Sequence, residues 1–172
     1  MPVRQAKAES KAMLVLFVQT KETEIAMHWK FRTRPKSKPT DRQKLIRNLD
    51  TVFSEFVRLR DADKNGVVKC ITCGAFDHWT KVDAGHFVTR EHMGTRWEEP
   101  NVNGQCQQCN RFKSGKQYEH GLAIDKKYGP GTASKLMVKG KSVCNWQDFE
   151  IEAMIKYYRS EVKRMKQEKF EL

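Results

Sequence analysis

Long apolar runs are missing from this chain. The longest, MLVLFV at residues 13 to 18, falls far short of the roughly 20 residues that a bilayer-spanning helix needs, and no small-residue cleavage site follows it. A membrane protein is therefore not expected, and a soluble intracellular one is. Negative charge is also short, with 21 Asp and Glu against 33 Lys and Arg and a net charge of +12. That balance favours a polyanionic partner, nucleic acid first and an anionic membrane surface second. Internal repeats and low-complexity tracts are absent, which excludes a solenoid. Within 172 residues the chain can bury one moderate core, so one domain with appendages is expected.

Cysteine is scarce and odd in number. Of the five, four form two CxxC pairs, which in a reducing compartment points to metal more than to disulfides. Cys144 is left over and reads as a small apolar packing residue.

The basic excess lies in the flanks. Residues 1 to 69 carry 16 positive and 8 negative side chains, residues 70 to 128 carry 8 and 7, and residues 129 to 172 carry 9 and 6. Residues 1–39 read as a basic N-terminal extension. In EIAMHWKFRTR, Ile25, Met27, Trp29 and Phe31 alternate with His28, Lys30, Arg32 and Arg34, so a strand would place cations on one face. That face suits DNA, and a solvated outer surface suits it equally. Residues 13 to 19 could pair with this strand as a hairpin, and RPKSKPT then reads as an extended linker.

Residues 40–172 hold the domain. Thr40 and Gln43 have the form of a capping box, and Leu45, Leu49, Val52, Phe53 and Phe56 follow at helical spacing, predicting a helix over 41–60. Further helices are predicted over 115–128, stopping at Gly129, in the stretch GTASKLMVKG, and over 146–168, opened by Asn145. In the last of these Ile151, Met154, Ile155, Tyr158, Val162 and Met165 line one face, which must pack on the domain or on a second subunit.

DADKNG at 61 to 66 matches the opening of a calcium-binding loop. The twelfth position falls on Thr72, where such a loop needs a bidentate Glu, so the stretch reads as turn chemistry instead. Cys70, Cys73, Cys106 and Cys109 make the stronger signal. Two CxxC knuckles supply four thiolates for a closed tetrahedral shell, the form of a structural zinc site with no open position for water. A redox pair or an iron–sulfur centre are the alternatives. Any chemistry must then come from the 32 residues between the pairs, or from NRFKSGK just after them.

Between the pairs lie Asp83, His86, His92, Arg96, Glu98, Glu99 and Asn101. A histidine near amides and carboxylates beside a rigid metal core suits phosphodiester hydrolysis, with imidazole taking a proton from water and a divalent cation offsetting charge on phosphate. Singly each residue proves little, since a lone histidine is more often structural.

The motifs CITCG, AGHF, RWEEPN and QCQQCNRFKSG together resemble the HNH (ββα-metal) nucleases with a four-cysteine zinc site, and more closely the phage NinG, or Rap, recombination nucleases. The resemblance runs from about FSEFVRLRDAD through YEHGLAIDKKYG and leaves out the first forty residues. It implies an α+β fold, a zinc-stapled ββα-metal core surrounded by helices. It also implies His86 as general base, Asn101 as the middle asparagine bracing the loop, and Asn110 at the last position, helping to hold Mg²⁺ or Mn²⁺. Its substrate would be branched or Holliday-type DNA in recombination, and its location the cytoplasm of a bacterial host.

One departure stands out: many of these nucleases carry Asp directly before the base, where this chain has Gly85. Asp83, Glu98 and Glu99 compete for the carboxylate ligand, and the two glutamates could instead pair with Arg90 or Arg96. His92 and His78 read as surface or packing residues, with metal binding as the alternative. Arg90, Arg96, Arg111, Lys113 and Lys116 are the candidate phosphate contacts. A homodimer through the final helix would suit two-strand cutting. The rivals are a generic nicking HNH enzyme and a non-catalytic zinc-containing DNA-binding module.

Overall fold

The computed structural model describes residues 38–170. The expected N-terminal strand pair, with Lys30, Arg32 and Arg34, and most of the linker lie outside the described residues.

The first helix, α1 (Asp41–Arg60), starts where the capping box puts it: the Thr40 hydroxyl accepts from the Gln43 N–H, and the Gln43 side chain accepts from the Thr40 N–H. Its buried residues Leu49, Phe53, Phe56, Val57 and Leu59 meet the long final helix, whose Ile151, Ile155, Tyr158, Val162 and Met165 are buried in the same core. The Tyr158 ring packs against Phe53 and Phe56 at centroid distances of 4.9 and 4.8 Å. The apolar stripe that a second subunit could have covered is therefore covered by α1 of the same chain. This final helix spans Asp148–Phe170, later than the start expected at Asn145. Arg42 donates to the Trp146 carbonyl and pairs with Asp148, and the Glu150 carboxylate accepts from the Gln147 N–H, which keeps residues 145–147 out of the helix.

Between these helices lie two small antiparallel sheets. In the first, β1 (Val67–Lys69) pairs with β2 (Phe76–His78). The turn before β1 uses Asp63, whose carboxylate accepts from the Asn65 and Val67 N–H groups, and Gly66 at φ 75°. DADKNG is thus turn chemistry.

In the second sheet, β3 (Asp83–His86) pairs with β4 (Val102–Gln105), with Asp83 opposite Gln105 and His86 opposite Val102. Side chains alternate along a strand and directly paired residues share a face. Ala84, His86 and Val102 therefore face the α1 core, where Ala84 and Val102 are buried. Asp83, Gly85, Asn103 and Gln105 face the other way, toward α2 (Gln117–Tyr128). There the Tyr128 hydroxyl and the Lys127 ammonium donate to Asn103 Oδ1 at 2.9 and 3.0 Å. The helix expected over 115–128 opens instead with a separate 3₁₀ turn, Ser114–Lys116. Behind it, α3 (Thr132–Gly140) closes a second small core of Phe87, Val88, Ile124 and Leu136. The final helix is α4.

Candidate metal centre and active site

The four cysteine sulfurs all lie within 4.8 Å of one another. Cys73 Sγ and Cys106 Sγ are 3.7 Å apart, close to the roughly 3.8 Å edge of a tetrahedron of sulfurs around zinc. Local backbone builds the first knuckle: the Cys70 N–H donates to the Ala75 carbonyl and the Gly74 N–H to the Cys70 carbonyl. The second knuckle leads into a single π turn over Gln108–Phe112. Cys70 and Cys109 are buried and Cys73 is exposed. Burial opposes ionisation of Cys70, but the Thr72 hydroxyl and nearby N–H groups bring its thiol down to about 6. Burial and the neighbouring thiols push Cys106 up to about 12. Four thiolates this close repel one another, and a bound dication removes that repulsion with release of protons. The donor set fits zinc.

His86 ends β3 with one ring nitrogen committed. Its Nε2 lies 3.0 Å from the Arg96 carbonyl; a carbonyl only accepts, so Nε2 carries the proton and Nδ1 the lone pair. The Ala84 carbonyl also lies near the ring, and Nδ1 is not among the buried polar atoms left without a partner. Burial, with Arg90 nearby, lowers the imidazole from 6.5 to about 4, so it is neutral at neutral pH.

Asn101, fully buried, ties together the loop between β3 and β4. Its Oδ1 accepts from the Val88 N–H at 2.7 Å, and its Nδ2 donates to the Val88 and Thr95 carbonyls, both at 2.9 Å.

Asn110 lies on the other face with Asp83, its Nδ2 donating to Asp83 Oδ2 at 2.9 Å. Arg111 grips the same carboxylate with two bonds of 2.8 and 2.6 Å. Burial works against ionisation here, yet Arg111 and Asn110 hold the Asp83 carboxyl below its usual range. Gly85 has a steric reason. A Cβ at this position would meet Gln105 Oε1 at 2.3 Å, and Gln105 is buried with its amide donating to the Gly115 carbonyl at 2.8 Å. An acid directly before the histidine would have to displace Gln105, and Asp83 is the carboxylate two residues earlier on that face.

The other candidates disperse. Glu98 pairs with Lys139 and Glu99 approaches Arg60 at 3.8 Å, not Arg90 or Arg96, so neither glutamate joins Asp83. Arg96 is not a free phosphate contact: its guanidinium is committed to Asp50 and the Arg90 carbonyl. Lys116 pairs with Glu119, while Arg90 and Lys113 are exposed. His92 and His78 are exposed, as is Phe112 beside Arg111. Among the described residues, the four cysteines form the one cluster of three or more His, Cys, Asp or Glu able to share an ion.

Three residues escaped the sequence reading. Asp50 is a carboxylate on α1 with no local motif, and Asp61, just past α1, opens DADKNG but serves another purpose: it accepts from Arg60, Lys127 and the Gly104 N–H. His120 is fully buried in α2 with neither ring nitrogen paired, packed edge-on to Phe87 at 5.7 Å. Burial, then the proximity of His86, lowers it from 6.5 to about 4. Both histidines thus bind protons less readily folded than unfolded. The stability they allow is fully present above about pH 6.5 and is lost as pH falls toward about 4, by roughly 3 kcal/mol at most for each. Melting curves across this range should show the loss, and His120→Phe, which removes one of the two groups, should flatten it.

Residues 3–168 match the family model described as Bacteriophage Lambda NinG protein. The chain belongs to the NinG family of phage proteins. Among NinG relatives, protein ninG of Salmonella phage P22 is 26% identical over 127 residues, covering 73% of this chain and 60% of that protein. Protein ninG of Escherichia phage lambda is 25% identical over 127 residues, covering 73% and 59%. Protein ninG of Escherichia phage 933W is 35% identical over 71 residues, covering 41% and 33%. The alignments therefore span at most 60% of these relatives' own length. No solved structure matches. Among the described residues of this NinG chain, no helix is long and apolar enough to cross a membrane.

Proposed function

We propose that this NinG-family chain is a metal-dependent DNA endonuclease of the HNH type, cutting branched or Holliday-type DNA during phage recombination in the cytoplasm of the bacterial host. The carrying observation is the His86 ring: Nε2 is fixed on the Arg96 carbonyl, which leaves Nδ1 to take a proton from the attacking water. Asp83 and Asn110, already in contact, are the residues that would hold Mg²⁺ or Mn²⁺, with Arg111 giving way. Such an ion would offset charge developing on the phosphate. His86 and Asp83 leave opposite faces of β3, so the phosphodiester would approach along the strand edge not paired with β4. Arg90, Arg111, Lys113 and Lys116 would supply the contacts to its phosphates, which carry little sequence preference. A zinc ion on the four cysteines would hold the second knuckle, and with it Asn110, in place.

A second reading rests on the Asp83–Arg111 pair, which blocks the carboxylate when no cation is bound. In it, the chain is a non-catalytic zinc-bearing DNA-binding module. Incubating zinc-loaded protein with four-way junction, flap and linear duplex DNA in Mg²⁺ or Mn²⁺ separates the two. The nuclease reading expects metal-dependent cutting, fastest on branched DNA. Binding without cutting of any substrate establishes the second reading, and equal rates on all three remove the preference for branches.

A further inference from the structure

We propose that Asp50 is a positioning residue for His86, acting through Arg96. This rests on the reading of His86 as general base. The Asp50 carboxylate accepts three hydrogen bonds from the loop between β3 and β4. Arg96 Nε and Trp97 Nε1 reach Oδ1, both at 2.9 Å, and Arg96 Nη2 reaches Oδ2 at 2.5 Å. A forked guanidinium on a carboxylate fixes orientation as well as distance. The third guanidinium nitrogen, Nη1, donates to the Arg90 carbonyl at 2.8 Å, so the side chain staples both limbs of the loop to α1. The anchor is firm, because Leu49 and Phe53 beside Asp50 are 0% and 1% exposed.

The Arg96 carbonyl is the group that accepts from His86 Nε2. Asp50 therefore sets the position of the acceptor that holds the proton on Nε2 of the imidazole. Asn101 holds the same loop from inside through Val88 and Thr95, without a hydrogen bond to Arg96 or His86. The α1 carboxylate is the side chain that bonds the Arg96 guanidinium directly. A basic loop residue that looked like a DNA contact is thereby an internal strut, and an acid with no motif around it acts on the tautomer of the base.

Asp50→Asn tests this in the zinc-loaded full chain. Asparagine keeps the shape and one acceptor for Trp97 but loses the charge and the fork. ¹⁵N correlation spectra of the imidazoles, with His86 assigned by its disappearance in His86→Gln, read the tautomer without any DNA. Wild type is expected to hold the Nε2–H form, and Asp50→Asn a mixture of both forms, with kcat on cleaved DNA down about tenfold or more and KM unchanged. Arg96→Lys, which keeps the charge without the fork, is expected to show the same mixture and stands in should Asp50→Asn not fold. Wild-type His86 in the Nδ1–H form, or an unchanged tautomer in both variants with lowered melting temperature alone, overturns the proposal. A wild type that holds the Nε2–H form but cuts no DNA instead removes the nuclease reading and leaves the clamp standing.

Discussion

Removing zinc from the metal-loaded protein, or replacing Cys109 by Ser, is expected to lower the melting temperature by at least about 20 °C and to dissolve the region from β1 to the π turn. The strands here are only three or four residues long and each sheet has two; such sheets are marginal without outside support. The four sulfurs supply that support by joining the β1–β2 knuckle to the turn that follows β4. A structural zinc contributes on the order of 10 kcal/mol to folding, and losing even half of that shifts the midpoint of a domain this size by tens of degrees. Position decides the severity. Cys109 is 1% exposed and Cys70 is 2% exposed, so serine there buries a hydroxyl and breaks the shell at once. Cys73 is exposed, and Cys73→Ser, with three thiolates left and water able to reach the ion, is expected to cost less than half as much. Calorimetry with and without chelator, beside metal counting by mass spectrometry, checks both. An equally stable protein after chelation would show that the sulfurs staple nothing.

What the sequence made legible is what neighbours in the chain decide. The Thr40–Gln43 box, the α1 stripe, the turn at DADKNG and the two knuckles each depend on residues within a few positions of one another, and each lies where the sequence predicts. Pairings across the fold were invisible. Glu98 meets Lys139 and Glu99 meets Arg60; nothing near either glutamate announces its partner. The stripe on α4 declared that it must be covered, while only the packing of Tyr158 on Phe53 and Phe56 shows by what. The helix expected from residue 115 is delayed because Ser114, Gly115 and Lys116 all take positive φ, at 47°, 75° and 47°. Two of these are not glycine, so local preference is overridden, and Gln105 on β4, donating to the Gly115 carbonyl, supplies the tertiary hold. Departures of this kind gather where a fold positions a site.

His86→Ala is expected to lower kcat on a cleaved junction by about 10²- to 10³-fold while leaving KM, zinc content and melting temperature near wild type. General-base catalysis contributes about 10²- to 10⁴-fold, and the lower half applies here. Burial, with Arg90 second, holds the ring at about 4, so His86 is always in its basic form at neutral pH but is a weak base. The same values fix the pH dependence: between about pH 6 and 8 the rate should not follow His86 at all, and it should fall only as pH drops toward 4 and the ring takes a proton. Asn101→Ala provides the contrast. It removes three buried hydrogen bonds from the loop, so stability and rate should fall together, whereas His86→Ala removes one and should cost far less stability than rate. Single-turnover rates with melting curves for the two variants separate chemistry from scaffolding, because a residue that acts on the reacting groups loses far more rate than stability.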